Sequence, residues 1–173
     1  MLIPALSRTG RIMGTLPSAE WFNEIYRRHG HRCPMSTLGG RLGWAAMQRC
    51  VDPHSSGLRG VFFHATCAVD GIAVATGLSV ATGTLTVRDV GRHTLVLRDR
   101  SRDWELELSL RPAALAIAGR YRRLDAELER RAGALSEAER RQLEDERAQV
   151  LQEVLEELWT LPDRALLKIG GEG

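Results

Sequence analysis

Three glycines, Gly39, Gly40 and Gly43, fall inside a stretch that otherwise reads as one helix, from Pro34 to about Arg49. Proline suits the first helical turn, where its missing amide would have no partner anyway. Each interior glycine, by contrast, weakens a helix by about 1 kcal/mol relative to alanine. A chain that accepts this penalty at three positions so close together predicts that another backbone packs tightly against the helix.

The other global constraints are those of an ordinary domain. A chain of 173 residues can bury roughly 70% of its surface on folding, so no metal or disulfide is needed to hold it together. Any metal is therefore free to be functional. Basic and acidic residues number 24 and 22, for a net charge of +2, which gives no electrostatic case for wrapping a polyanion, and nucleic acid is not an expected partner. The first fourteen residues carry Arg8 and Arg11 but no apolar core of signal-peptide length, and no apolar run approaches the roughly 20 residues of a membrane span. These features predict a cytoplasmic protein without a membrane segment. Its three cysteines, Cys33, Cys50 and Cys67, would then be reduced. Burial, metal binding and reactivity all remain open to them.

Along the chain, Ser18 can cap a first helix whose apolar residues Trp21, Phe22, Ile25 and Tyr26 share one face, with Gly30 as its stop. Cys33 then falls at the N-cap of the glycine-bearing helix. Pro53 to Gly60 reads as a loop and Val61 to Thr66 as a short strand, followed by a helical stretch from Cys67 through Ala75. Leu85 and Val87, then Leu95, Val96 and Leu97 around a turn containing Gly91, then Trp104, Leu106, Leu108 and Leu110 alternate as strands of an antiparallel meander. The expected class is α+β, an antiparallel sheet covered by helices on one face. After Pro112 the composition shifts to alanine, leucine, arginine and glutamate. One helix ends near Gly133, and a capping box at Ser136 and Glu139 starts the next, giving a C-terminal α-helical hairpin. Leu166 to Ile169 reads as a terminal strand or docking tail. The expected division is a metal-site domain over residues 1–110, with the hairpin and tail over 111–173 packed on it or on a dimer partner.

The densest cluster of coordinating side chains is His29-Gly30-His31-Arg32-Cys33-Pro34. In an extended loop, residues two apart project to one side, so His31 and Cys33 could reach one ion with His29 in line behind them. Imidazole and thiolate suit zinc, nickel or iron rather than calcium or magnesium. The alternative is a surface turn that carries histidines. Cys67 adds weight, because it and Cys33 both fall at helix N-termini, where the helix dipole favours a thiolate. Its alternative is a small core residue, the reading preferred for Cys50. His64, on the strand three residues before Cys67, points to the opposite face by strand alternation, which suits an orienting or structural histidine better than a ligand.

Taken in order, the His29-to-Pro34 motif, the helix with Gly39 and Gly43, Cys67-Ala68-Val69-Asp70-Gly71-Ile72, Gly77, Thr82-Gly83-Thr84-Leu85 and Asp89-Val90-Gly91-Arg92 resemble the FmdE family. That family takes its name from the formylmethanofuran dehydrogenase operon. The resemblance spans roughly residues 18 to 110, with a weaker echo at Leu161-Pro162-Asp163. It implies a topology similar to the catalytic domain of glyceraldehyde-3-phosphate dehydrogenase, a usual homodimer, and a metal near the two motifs. Carried over by position, the candidates are His29, His31, Cys33, Cys67 and Asp70. The expected ligands are Cys33, Cys67 and one histidine, His31 before His29; the other histidine and Asp70 would orient ligands or accept protons. Two departures stand out. Met35 occupies the place where the family has glycine after Cys-Pro, narrowing the expected approach. No cysteine follows Cys67, so the zinc ribbon of some longer members is not expected, and the helical hairpin stands in its place.

The function expected from these readings is a metal-binding protein with one transition-metal ion, zinc first and nickel or iron next, and an open coordination position. An association with a molybdenum or tungsten enzyme or with one-carbon metabolism is the wider setting. The competing expectations are a metal-free thiol enzyme using Cys33 or Cys67 as nucleophile, and a non-catalytic assembly or partner protein that docks in an enzyme complex.

Overall fold

In the computed structural model, which describes residues 15–170, the first helix α1 spans Ala19–His29. The Ser18 hydroxyl accepts the Trp21 amide, and Gly30 ends the helix in the left-handed region at φ 94°. The second helix, α2, is Pro34–Arg49 with Cys33 as N-cap; a third, α3, is Ala68–Thr76 with Cys67 as N-cap. The glycine prediction is explained by their contact. A Cβ on Gly39 would sit 2.0 Å from the Ala68 carbonyl oxygen, and one on Gly71 would sit 2.0 Å from that of Ser36. On the same helix, Gly40 receives the Ile25 and Trp21 side chains of α1, and Gly43 faces Ala75 of α3. The expectation about the first fourteen residues lies outside the described part of the chain.

The sheet has five strands in the order β2-β1-β3-β4-β5: β1 Leu58–Phe62, β2 Leu85–Val87, β3 Thr94–Asp99, β4 Trp104–Leu110 and β5 Leu167–Ile169. The class is α+β, as expected, and the pairings β1·β3, β3·β4 and β4·β5 are antiparallel. Two expectations are corrected. The first strand runs from Leu58 to Phe62 rather than from Val61 to Thr66. Its inward positions are Leu58, Gly60 and Phe62; Gly60 faces Leu78, Leu85 and Leu97, which leave no room for a side chain, so the apolar alternation is hidden in the sequence. The second correction concerns β2, which pairs parallel with β1 and not with β3, because α3 forms a crossover between them.

Directly paired residues share a face, so Leu58, Phe62, Leu95, Leu97, Leu106, Leu108, Leu110, Leu167 and Ile169 form one apolar side. This side packs into a single core with Leu38, Leu42, Ile72, Ala114, Ala118, Val154 and Leu158 from the helices. The other side carries Arg59, Arg98, Glu105, Glu107 and Lys168 and bears no helix core. Helices therefore cover one face.

The hairpin consists of α4 Pro112–Arg131 and α5 Glu137–Thr160, the latter opened by the Ser136/Glu139 capping box. Gly133 lies in the connecting turn, two residues past the end of α4. Ala114, Ala118, Val154, Leu155 and Leu158 bury the base of the hairpin, while its far end is half-exposed. Below it, α6 (Asp163–Leu166) leads into β5, so the last described segment supplies an edge strand to the same sheet. Arg41 of α2 is fully buried and closes the C-terminal end of α5. Its Nη1 donates to the Leu158 carbonyl at 2.6 Å, and its Nη2 donates to the Leu161 carbonyl at 2.7 Å and to Asp163 Oδ1 at 2.9 Å. These bonds satisfy carbonyls that a helix end leaves without partners.

The helix contact yields a stability test. Gly71→Ala forces a methyl group into the Ser36 carbonyl and should cost about 3 kcal/mol, at the upper end of overpacking penalties. Gly133→Ala, with nothing within 4 Å of the new Cβ, should be neutral or slightly stabilising. Paired thermal melts decide: equal midpoints for the two variants overturn the packing account.

Candidate metal centre

The close approach of α2 and α3 has a chemical result at their N-terminal ends. Cys33 and Cys67 are the residues immediately before the two helices, about one turn from the glycine contacts, and α1 delivers His29 to the same place from its last turn. One ligand atom from each of His29, Cys33 and Cys67 lies within 4.8 Å of the others. Cys33 is buried, while His29 and Cys67 are partly exposed. Among the described residues no other group of three or more histidine, cysteine or acidic side chains converges in this way.

The imidazole of His29 is held in one orientation. Its Nδ1 lies 2.7 Å from Asp70 Oδ2, on the first turn of α3. A carboxylate accepts only, so the Nδ1 proton donates to it and Nε2 is left with its lone pair. That Nε2 is buried and has no hydrogen-bond partner. An unpartnered buried acceptor costs roughly 1–3 kcal/mol, and a lone pair presented beside two thiols is what a borderline metal ion accepts. The carboxylate-to-histidine arrangement is the support that ligating imidazoles ordinarily have.

The order expected for the two histidines is reversed. His29 joins the cysteines, whereas His31 is exposed and sets its ring against that of His29 at 4.3 Å between centroids. The physical reason is backbone conformation: His29 belongs to a helix that ends with a left-handed turn at Gly30, so the extended-loop geometry assumed for the motif begins only after it. Nor does His64 adjoin the cluster as a strand residue. It lies in the turn beyond β1 and stacks on His93 at 4.5 Å and 17°. Near-parallel rings direct their lone pairs along parallel lines, so this pair cannot converge on one ion. Cys50 caps the C-terminal end of α2 and packs against the main core.

The thiols also differ from expectation. Helix ends favour thiolates, yet burial, followed by the adjoining Cys33, pushes the Cys67 thiol up to about 11. Two sulfur atoms facing one another cannot both shed protons cheaply without a cation between them.

A set of residues not singled out in the sequence fixes Cys33 from behind. Trp159 Nε1 donates to the Tyr26 hydroxyl at 3.0 Å, and Tyr26 and Thr37 are bonded at 2.6 Å. The Thr37 hydroxyl donates to the Cys33 carbonyl at 2.9 Å. With one proton per hydroxyl, the chain runs in one direction, from Trp159 through Tyr26 and Thr37 to Cys33. Burial raises the Tyr26 pKa and keeps the phenol a donor. The available signal was a tyrosine on an otherwise apolar helix face, whose polar tip required a partner. Arg32 lies over the Trp159 ring at 5.7 Å and donates to Gln152, so the hairpin touches the motif loop as well.

Residues 28–168 match the family described as FmdE, Molybdenum formylmethanofuran dehydrogenase operon. The chain belongs to the FmdE family. The match reaches well past residue 110, so the hairpin and β5 fall within the family pattern. A probable S-adenosyl-L-methionine-binding protein of Archaeoglobus fulgidus is 32% identical over 83 residues, which is 44% of this chain and 22% of that protein. The chain thus spans less than a quarter of that relative. The crystal structure of an FmdE-like protein of tungsten formylmethanofuran dehydrogenase from Syntrophus aciditrophicus superposes with a TM-score of 0.53 at 17% identity, covering 90% of this chain and 74% of that one. It shares the fold with this FmdE member. No helix among the described residues is long and apolar enough to cross a membrane.

The state of Cys67 is directly measurable. In metal-free protein, iodoacetamide should label Cys67 slowly at neutral pH, with a rate that keeps climbing as the pH approaches about 11. Peptide-resolved mass spectrometry reads this profile. A Cys67 rate already level by about pH 8 contradicts the raised pKa.

Proposed function

We propose that this FmdE member binds one transition-metal ion, zinc in preference to nickel or iron, on His29 Nε2, Cys33 Sγ and Cys67 Sγ, with a further coordination position open to a ligand. The observation that carries the reading is the buried, unpartnered Nε2 of His29, fixed by Asp70 beside two cysteines. A structural zinc site is normally closed by four protein ligands, and three with an open position is the pattern of catalytic or ligand-sensing sites. When bound, such an ion supplies Lewis acidity at that open position. The protein's own residues do the positioning: Asp70 holds the His29 tautomer, and the Trp159-to-Thr37 chain holds the Cys33 backbone.

The names attached to the family and to its solved member, molybdenum and tungsten formylmethanofuran dehydrogenase, support a place beside such an enzyme in one-carbon metabolism. The metal-free thiol-enzyme reading gains less support, since a Cys67 thiol raised to about 11 is protonated at neutral pH.

Elemental analysis of protein purified without chelator tests the proposal. One equivalent of metal is expected in the unmodified chain, with severe loss in Cys33→Ser, Cys67→Ser and His29→Ala and retention in His31→Ala. Asp70→Asn should weaken binding by about 10- to 100-fold, the usual effect of removing a carboxylate behind a ligating histidine. Because the thiols must lose protons to coordinate, affinity should rise with pH and fall on acidification, by about tenfold per pH unit for each proton released. Competition against a chelating indicator reads both. Absence of stoichiometric metal, or metal content untouched by Cys33→Ser, overturns the proposal.

A further inference from the structure

The two cysteines are placed for chemistry with each other as well as with an ion. Their sulfur atoms lie within 4.8 Å, although 34 positions (67 minus 33) separate them in sequence. A disulfide needs Cα atoms roughly 4.4–6.8 Å apart, and backbones that cannot approach cannot form one. Here the approach is imposed by the fold: the Gly39–Ala68 and Gly71–Ser36 contacts press the first turns of α2 and α3 together, just beyond Cys33 and Cys67. The same geometry excludes Cys50, which sits at the other end of α2, roughly 25 Å away along a helix rising about 1.5 Å per residue. The two thiols also differ in access. Cys33 is 8% exposed, whereas Cys67 is only partly buried.

We infer that Cys33 and Cys67 form a reversible intramolecular disulfide in response to hydrogen peroxide, and that its formation ejects the bound metal. The metal-release half rests on the metal reading above; the disulfide half rests on the cysteine geometry alone. Cys67, the more accessible sulfur, attacks one peroxide oxygen as thiolate, becoming a sulfenic acid and releasing hydroxide, which takes up a proton as water. The Cys33 thiolate then attacks the sulfenic sulfur, the S–S bond forms, and a second hydroxide leaves and is protonated to water. Two thiols and one peroxide thus become one disulfide and two waters, with sulfur oxidised and peroxide oxygen reduced. The ion contributes no electrons. It loses two of its three protein ligands and departs unchanged in oxidation state. A dithiol reductant restores both thiols by exchange.

The test uses the full chain in metal-free and zinc-loaded forms, treated with hydrogen peroxide, alkylated and digested without reduction. The expected product is a linked Cys33–Cys67 peptide, with Cys50 alkylated as in untreated protein and the link removed by dithiothreitol. In the zinc-loaded form, one zinc should appear on a chromogenic chelator for each link formed. Linkage should also be slower by about tenfold or more than in metal-free protein, because a coordinated thiolate is withheld from the oxidant. Cys50→Ser should behave as the unmodified chain. Sulfinic or sulfonic acid at Cys67 without linkage, or linkage through Cys50 or between chains, overturns the inference even if zinc is bound stoichiometrically. If linkage forms but no zinc was bound, the metal reading fails and the cysteine pair stands. Linkage of the zinc-loaded form that releases no zinc overturns the coupling between the two.

Discussion

The structure depends on the backbone contact between α2 and α3. Helices usually pack with side chains setting their separation; at Gly39 and Gly71 there is none, and a carbonyl of the facing helix occupies the space instead. The helix-propensity penalty of about 1 kcal/mol per glycine is offset by dense packing among Leu38, Leu42, Ala68 and Ile72, all fully buried. The consequence for the site is positional. Two helix N-termini are brought side by side, and the residue at each is a cysteine. Each end contributes roughly 0.3–1 kcal/mol in favour of negative charge at an exposed site. At Cys67 this is outweighed by burial and by the neighbouring Cys33, since its pKa moves up rather than down. A cation between the sulfurs reverses that balance.

How much of this was legible in the sequence depended on whether the signal was local. Ser18, Gly30, Pro34 and the Ser136/Glu139 box fixed helix ends correctly because capping is decided within a few residues. The glycines of α2 announced a close neighbour but not which one. The first strand was displaced because an inward position is Gly60, where three leucine side chains fill the space a side chain would take. The parallel pairing of β2 is a non-local choice made by the α3 crossover, and two short apolar strands separated by a glycine turn give no local sign of it.

The site followed the same division. The residue types were recognisable from the spacing of the His-Gly-His-Arg-Cys motif and from Cys67, while the ranking of His29 against His31 turned on where α1 stops. A helix that ends one residue earlier would place His29 in the extended segment; because it ends at His29, the ring is delivered from the last helical turn onto Asp70. Partners such as Tyr26, Thr37 and Trp159 could not be assembled from sequence, because 133 residues separate Tyr26 from Trp159.

These partners show why α2 can act as the centre of the molecule. Thr37 and Arg41 are four residues apart and so lie on one face of the helix. Thr37 connects through Tyr26 to Trp159, and Arg41 binds the carbonyls of Leu158 and Leu161. Both tethers therefore grip the end of α5 from one side of α2, while Gly39 and Gly43 hold α3 from another. Cys33 sits at the N-terminal end of this clamped helix, and its carbonyl accepts the last bond of the Thr37 chain. A displacement of α5 is then transmitted to Cys33 through three hydrogen bonds and one helical turn, without passing through solvent. The hairpin is thereby tied mechanically to the cysteine that converges with His29 and Cys67, and an event at one end of that chain is felt at the other.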